Sequence, residues 1–327
     1  MALIATEEQK RELNDNGFTV IENLLTEAEV ATLDDAIEEV SLRRDQAADL
    51  PALSRPGSTG TGFLAMRNGI LQHPALLDLV DRPDILSYVV DMVGWNIQNR
   101  DSVLLRTPPE PEAVDHGRMG LGWHFDYEEE FGGITRGDPM PLIDFKVGWY
   151  ISDSTEPGHA TIIFVPGSHN WTYQQRATWS QDLDPSDIFE LRVPAGSAML
   201  WRGTLLHGVT PNLSKTVRKA VYVSYAPRWL RPTGHIFQDE DLVERSDPVR
   251  RQLLGAMGDL SDPLGNSPDV SPDSQYWFTH DWNSVPLKEW AESCAGDPPY
   301  DWGTGYGVSE TKFLPGFEFP NAIDPRK

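Results

Sequence analysis

The segment Trp123-His124-Phe125-Asp126 alternates aromatic side chains with side chains that bind metals. Successive residues of a β-strand point to opposite faces of the sheet, so His124 and Asp126 would share one face. A second histidine lies further along the chain, in Leu206-His207-Gly208. Two imidazoles and one carboxylate form a ligand set that suits non-haem Fe(II) and leaves coordination positions open. The two segments therefore predict a β scaffold that carries a metal site of His124, Asp126 and His207.

The rest of the central region has the pattern of an all-β core. From Ile97 onward, short apolar runs alternate with turn residues, as in sandwiches and barrels. No helix alternates regularly with these runs, so a parallel doubly wound sheet is disfavoured and a double-sheet jelly roll (a cupin-like double-stranded β-helix) is predicted. We expect strands near residues 98–106, 120–126, 142–152, 160–166, 188–193, 197–202 and 217–226.

The N-terminal region has helical signals. Thr6-Glu7-Glu8-Gln9 and Thr26-Glu27-Ala28-Glu29 both match the capping box, in which a threonine and an acid or amide three residues later satisfy exposed N–H groups. Apolar residues then recur at helical spacing from Val30 to Val40, and Pro74 and Pro83 stand where first-turn prolines belong. These helices should buttress one sheet.

Three regions follow from these patterns. Residues 1–230 should form one domain, with N-terminal helices in 1–96 and the jelly-roll core in 97–230. Residues 231–327 are rich in proline but also contain four tryptophans, which is too much aromatic surface for a free tail. We expect this extension to pack on the core as a lid over the pocket or as a subunit interface, which leaves a homo-oligomer open.

The composition restricts the partners. The formal net charge of −23 argues against nucleic acid and anionic membranes, since both require a basic face. The chain has one cysteine, Cys294, no apolar run long enough to cross a bilayer and no basic-then-apolar leader. A cytoplasmic location is therefore expected.

Arg218 is the fourth residue of interest. It lies in Val217-Arg218-Lys219-Ala220-Val221-Tyr222-Val223, a run with the composition of a strand. Arginine presents a planar, permanently charged fork that matches a carboxylate. We predict an inward-facing Arg218 that binds a carboxylate cosubstrate, with Lys219 on the outer face.

Several segments in order resemble the phytanoyl-CoA dioxygenase (PhyH-like) family of iron- and 2-oxoglutarate-dependent oxygenases. The similarity covers roughly residues 7–230, and one departure is Val209, where family members often have serine near the cosubstrate. The matching segments are Asn16-Gly17-Phe18-Thr19-Val20-Ile21-Glu22-Asn23, Trp123-His124-Phe125-Asp126, Val165-Pro166-Gly167-Ser168-His169, and His207-Gly208 with Asn212, Ser214, Arg218 and Lys219.

The resemblance implies a reaction and its cofactors. His124, Asp126 and His207 would be the catalytic metal ligands, with Fe(II), 2-oxoglutarate and O2 as cofactor and cosubstrates and Arg218 on the 2-oxoglutarate carboxylate. The expected reaction is hydroxylation, desaturation or ring formation on a small metabolite, such as one of specialised biosynthesis, with release of succinate and CO2. Two other classes stay open: a zinc hydrolase that uses the run Glu128-Glu129-Glu130 as base, and a non-catalytic cupin-like binding protein.

The substrate pocket is less defined by the sequence. Aromatic and cationic residues close to the metal-binding segments, or in the strands expected beside them, are the candidates for substrate contacts. They are Arg106, Tyr127, Phe131, Lys146, Trp201 and Arg228.

Overall fold

Two antiparallel β-sheets form the centre of the molecule. The computed structural model describes residues 5–46, 63–110, 121–126, 140–180, 183–234, 239–255 and 285–295. Within these residues, the larger sheet has six strands and the smaller has four, and all neighbouring strands are antiparallel. The predicted all-β double-sheet core is confirmed.

The larger sheet has the strand order β1-β8-β5-β10-β3-β2. Its strands are β1 (Phe18–Ile21), β2 (Leu64–Arg67), β3 (Ile97–Thr107), β5 (Phe145–Tyr150), β8 (Ser197–Arg202) and β10 (Arg218–Pro227). The smaller sheet has the order β4-β9-β6-β7. Its strands are β4 (Leu121–His124), β6 (Ile162–Phe164), β7 (Phe189–Glu190) and β9 (His207–Val209).

The larger sheet has two different faces, and β8 shows the division. Ala198 and Leu200 belong to the apolar cluster that includes the helices, whereas Met199 and Trp201 belong to the cluster shared with the smaller sheet. Because strand side chains alternate, the pairing register extends this division to the neighbouring strands. We call the side that faces the smaller sheet the inner face and the helix-covered side the outer face.

Helices cover the outer face. In chain order the helices are α1 (Glu7–Asp15), α2 (Glu27–Gln46), α3 (Pro74–Leu77), α4 (Pro83–Val93), α5 (Tyr173–Thr178), α6 (Glu240–Arg245), α7 (Pro248–Leu253) and α8 (Pro286–Ala295). Of these, α5 lies elsewhere, since the flanking Trp171 and Trp179 pack on the apolar cluster that includes Ile163 of the smaller sheet. Both predicted capping boxes are present, at Thr6 with Gln9 and at Thr26 with Glu29. Buried residues of α2, α3 and α4 share one cluster with the outer face, so the predicted buttress is confirmed.

A bulge interrupts the pairing of β3 with β10. Ser224 lies opposite Asp101, but the next residue, Tyr225, lies opposite Asn99. Arg100 is therefore an extra residue on β3, and both Arg100 and Asp101 are buried. The bulge brings two charged side chains into the interior at neighbouring positions.

The described parts of the C-terminal extension pack against the helical side. Leu253 and Leu287 belong to the same apolar cluster as α4, and Gln252 donates to the carbonyl oxygens of Trp95 and Ile97. Closer to β10, the N–H groups of residues 233 and 234 both donate to the Arg100 carbonyl oxygen. The lid or interface role of residues 231–327 stays a prediction, and three of their four tryptophans lie outside the described residues.

The structure adds elements that the sequence pattern did not indicate. They are β2, β9 and the helices α5 to α8. Of the described helices, none is long and apolar enough to cross a membrane.

Candidate metal site

Strands β4 and β9 place the two histidines side by side. His124 ends β4 and pairs directly with His207, the first residue of β9, and their rings are 4.3 Å apart between centroids. The neighbours Trp123 and Phe125 alternate away into a separate apolar cluster with Leu206. This packing fixes the direction of the intervening histidine.

Asp126 lies just beyond the strand rather than within it. The expected strand over residues 120–126 ends at His124, and Asp126 occupies the following turn. Its N–H donates to the Gly203 carbonyl oxygen at 3.1 Å, which ties the turn to the end of β8. Thus a backbone hydrogen bond, not a shared strand, sets the position of the carboxylate.

The three side chains converge. One candidate ligand atom from each of His124, Asp126 and His207 lies within 4.8 Å of the others. His124 Nε2 is 3.6 Å from Asp126 Oδ1, and His207 Nε2 is 3.5 Å from Asp126 Oδ2. These atoms surround one point, as a metal ion with two nitrogen ligands and one oxygen ligand requires.

The tautomer of each histidine follows from a hydrogen bond. His124 Nδ1 is 2.5 Å from the Gly122 carbonyl oxygen, and His207 Nδ1 is 2.8 Å from the Leu205 carbonyl oxygen. A carbonyl oxygen only accepts, so both Nδ1 atoms carry the proton and both Nε2 atoms of the neutral rings keep a free lone pair. Gly122 has a φ of 65°, a left-handed conformation that glycine adopts without strain.

Burial and charge prepare the same residues for a cation. Burial lowers the pKa of His207 to about 4, so this ring is neutral at physiological pH. Burial opposes ionisation of Asp126, but Lys146 and the two histidines outweigh it and hold its pKa well below the ordinary value. Burial also disfavours charge on His124, yet the adjacent Asp126 raises the His124 pKa above its ordinary value. The donor set therefore fits a divalent ion, with His124 as the ligand that must lose a proton.

This protonation pattern predicts the pH dependence of metal binding. Between about pH 5 and the pKa of His124, metal affinity should rise about tenfold per pH unit, because one proton leaves per ion bound. His207, with a pKa of about 4, is already neutral in this range. Titration calorimetry of metal binding in buffers of different ionisation enthalpy counts the released protons. Release of two protons at pH 5.5 would contradict this assignment.

A cluster of buried charged and polar side chains lies on the inner face, beside the three candidate metal ligands. Lys146 of β5 contacts Asp126, and Ser224 of β10 donates to Asp144. Arg100 Nη1 lies 3.8 Å from Asp144 Oδ1. Burial is the main reason that the pKa of Asp144 rises to about 6.

Arg218 lies fully inside the protein among aromatic rings. Its Nη2 donates to the Tyr222 hydroxyl at 2.6 Å, and its guanidinium carbon lies 5.7 Å from the Tyr150 ring centroid and 5.5 Å from that of Tyr222. Among the described residues, none accepts a hydrogen bond from its Nε. The predicted inward direction of Arg218 and outward direction of Lys219, which binds Asp34 of α2, are confirmed.

The other predicted substrate contacts have different outcomes. Trp201 is buried on the inner face, with its ring edge-on to Tyr222 at 5.1 Å. Arg106 must be corrected: it lies on the outer face, where Nε is 3.1 Å from Glu38 of α2, because β3 alternates and Leu105 is the residue directed inward there. The N–H of Arg228 donates to the Asn96 carbonyl oxygen just beyond β10, and its role stays a prediction. Tyr127, Phe131 and the acidic run 128–130 lie outside the described residues.

The sequence analysis missed residues that now surround the site. Tyr150 and Tyr222 contact Arg218, and Asp144 and Arg100 lie beside Lys146. The signal for Tyr222 was present, since a residue four positions beyond Arg218 in a strand lies on the same face. No local pattern indicated the other three, because strand pairing brings them together.

Comparison with known proteins agrees with this architecture. The two antiparallel sheets have the cupin-like architecture seen in solved structures of other proteins. A solved carbocyclase, SnoK from nogalamycin biosynthesis, aligns with a TM-score of 0.52 at 21% identity, over 74% of this chain and 91% of that one. EctD from S. alaskensis, solved with 2-oxoglutarate and 5-hydroxyectoine, aligns with a TM-score of 0.54 at 18% identity, over 76% and 83%. At these identities the likeness shows the fold.

The family follows from the sequence. The model of the phytanoyl-CoA dioxygenase (PhyH) family matches residues 13–220, and the chain belongs to this family. A relative from Stutzerimonas stutzeri, named a probable alpha-ketoglutarate-dependent hypophosphite dioxygenase, is 26% identical over 237 residues, which cover 67% of this chain and 78% of the relative.

Proposed function

We propose that the chain is an Fe(II)- and 2-oxoglutarate-dependent dioxygenase in which His124, Asp126 and His207 hold the metal and Arg218 binds the distal carboxylate of 2-oxoglutarate. The type of enzyme rests on family membership and on the close relatives of the same type. The residue roles rest on geometry. The substrate is a small molecule, and a metabolite of specialised biosynthesis fits the carbocyclase among the structural neighbours.

The observation that carries the proposal is the environment of Arg218. Its guanidinium is buried against two tyrosines, and none of the ion pairs among the described residues includes it. Burying a charge without an opposite charge is costly unless a ligand supplies one. A dicarboxylate with one end at the metal and the other at Arg218 supplies that charge. A zinc hydrolase or a passive binding protein has no comparable need for this cation.

The chemistry assigns each residue a task. Iron, when bound, would supply activation of O2 coupled to oxidation of 2-oxoglutarate to succinate and CO2, for hydroxylation, desaturation or ring formation on the substrate. Asp126 and the two imidazoles would hold the ion through one oxygen and two nitrogen atoms. Arg218 orients the cosubstrate through two parallel hydrogen bonds. Trp201 and Tyr222 line the inner face and exclude water.

A turnover assay tests the proposed function. Protein reconstituted anaerobically with Fe(II) should consume 2-oxoglutarate and release succinate once O2 is admitted, slowly alone and faster with the right compound from a metabolite screen. Zn(II)-loaded protein is the control and should release none. Hydrolysis of esters or amides by the zinc form, without succinate from the iron form, would contradict the proposal and favour the hydrolase.

The setting of the enzyme is part of the same proposal. We infer a cytoplasmic enzyme without nucleic-acid or membrane partners, because the chain has a formal net charge of −23 and a single cysteine. Cell fractionation with an antibody against the chain checks the location, and sedimentation checks whether it forms a homo-oligomer.

A further inference from the structure

Lys146 occupies an unusual place for a cation. Its ammonium contacts Asp126, a proposed metal ligand, and the same carboxylate oxygen lies 3.5 Å from His207 Nε2. The position is fixed by the sheet, where Lys146 pairs with Trp201 on one side and Ser224 on the other. Its side chain is 11% exposed. The Lys146 ammonium therefore lies at the edge of the proposed metal site, which itself is suited to a cation.

Metal and ammonium would share one carboxylate. Like charges a few ångströms apart repel strongly where burial limits screening by water. Two described acids that also feel the charge of Lys146 each face an arginine: Asp144 faces Arg100 at 3.8 Å, and Asp101 binds Arg67. A loaded metal site with Lys146 beside it therefore favours one more negative group.

An oxyanion satisfies both cations at once. One oxygen can lie on the open side of the metal while another accepts a hydrogen bond from the ammonium, which has three N–H donors. The inner face also supplies an apolar wall, since Lys146 Nζ is 5.9 Å from the centroid of the Trp201 ring. This geometry favours a flat carboxylate or a comparable oxyanion.

We propose, on the basis of the function proposed above, that Lys146 forms an oxyanion subsite on the open side of the metal site. Two molecules carry the required chemistry. One is 2-oxoglutarate, through the carboxylate next to its keto group. The other is an organic substrate with an acidic group. In both cases the binding of the metal and the binding of the anion favour each other, because the anion reduces the repulsion between the metal and Lys146.

Two titrations with opposite expected signs test the subsite. In anaerobic titrations of the full chain, Lys146→Met should bind Fe(II) alone several-fold more tightly than wild type, because the competing ammonium is gone. The metal-loaded variant should bind an anion about tenfold or more weakly, the effect of one lost charge-assisted hydrogen bond. A variant with a damaged fold would instead bind both Fe(II) and the anion more weakly than wild type. Lys146→Arg should restore anion binding, and Arg106→Gln, on the outer face of the same sheet, is the matched control and should change neither.

Titrations with different anions show whether the subsite binds the 2-oxoglutarate carboxylate or an acidic substrate. 2-Oxoglutarate is titrated into metal-loaded protein, and benzoate and phosphate are titrated into the complex of protein, metal and 2-oxoglutarate. Weaker 2-oxoglutarate binding in Lys146→Met assigns the subsite to the cosubstrate. Unchanged 2-oxoglutarate binding with weaker benzoate or phosphate binding assigns it to an acidic substrate. If no anion binds more weakly, or if Fe(II) alone binds more weakly, the subsite is rejected. Wild-type protein that binds Fe(II) but not 2-oxoglutarate would instead reject the proposed function.

Discussion

Replacing His207 with alanine is expected to weaken Fe(II) binding more than about 100-fold, since losing even an outer partner of a metal ligand commonly costs about 10–100-fold. His207 is buried with its Nε2 3.5 Å from Asp126 Oδ2, and among the described residues the group of possible metal ligands contains only His124, Asp126 and His207. Succinate release should fall to background. Asp126→Ala should have the same effect, although it also removes the contact with Lys146.

The measurement is bound iron after anaerobic reconstitution and desalting, compared with wild type. His159→Gln is the matched control, because His159 Nδ1 also contacts a backbone carbonyl oxygen, that of Asp153, but lies outside the three-residue group. The control should keep full iron. Equal iron in wild type and in His207→Ala would show that the metal lies elsewhere.

Replacing Arg218 with leucine should weaken 2-oxoglutarate binding by about 3 kcal/mol or more, which is over 100-fold. The free energy of unfolding should change by no more than about 1 kcal/mol, since the lost hydrogen bond to Tyr222 is offset by removing a buried cation. A residue retained for stability would give the opposite result, with strong destabilisation and unchanged cosubstrate affinity.

Titration of 2-oxoglutarate into the metal-loaded protein measures the first effect, and urea denaturation measures the second. Arg106→Leu is the control, because that arginine lies on the outer face with Glu38 and should not affect cosubstrate binding. Arg218→Lys should lie in between, since an ammonium keeps the charge but loses the two-point geometry. If Arg218→Leu binds 2-oxoglutarate as tightly as wild type, the anchor role is rejected.

Local signals in the sequence predicted much of the fold. Capping boxes, first-turn prolines and apolar periodicity depend on residues a few positions apart, so the helices α1 to α4 followed from them. Alternation predicted most of the long strands and the inward direction of Arg218. The strands β2 and β9 were missed, because both are defined by pairing with distant strands, β2 with β3 and β9 with β4 and β6.

The remaining parts of the site depend on pairing between distant segments. The sequence predicted Arg106 as a substrate contact, but the pairing with β10 and the contact with Glu38 of α2 place it on the outer face. The bulge beside Ser224 places Arg100 and Asp101 together, and no residue in that stretch indicates an irregularity. Burial of Asp144 also arises from three separate strands. These positions depend on the pairing register of distant strands, which the residues of a single strand do not indicate.

The hydrogen bonds that fix the two histidine tautomers have a wider consequence. In each case the acceptor is the carbonyl oxygen two residues earlier in the same segment, at Gly122 and at Leu205. Which nitrogen carries the proton in each neutral ring is thus fixed by its own tripeptide, not by a carboxylate contributed from elsewhere in the protein. Substitutions elsewhere in the pocket can therefore change the pKa of these rings without changing which nitrogen is free to bind a metal. A pair of such tripeptides, transplanted onto another β-sheet, would carry its own control of the tautomer.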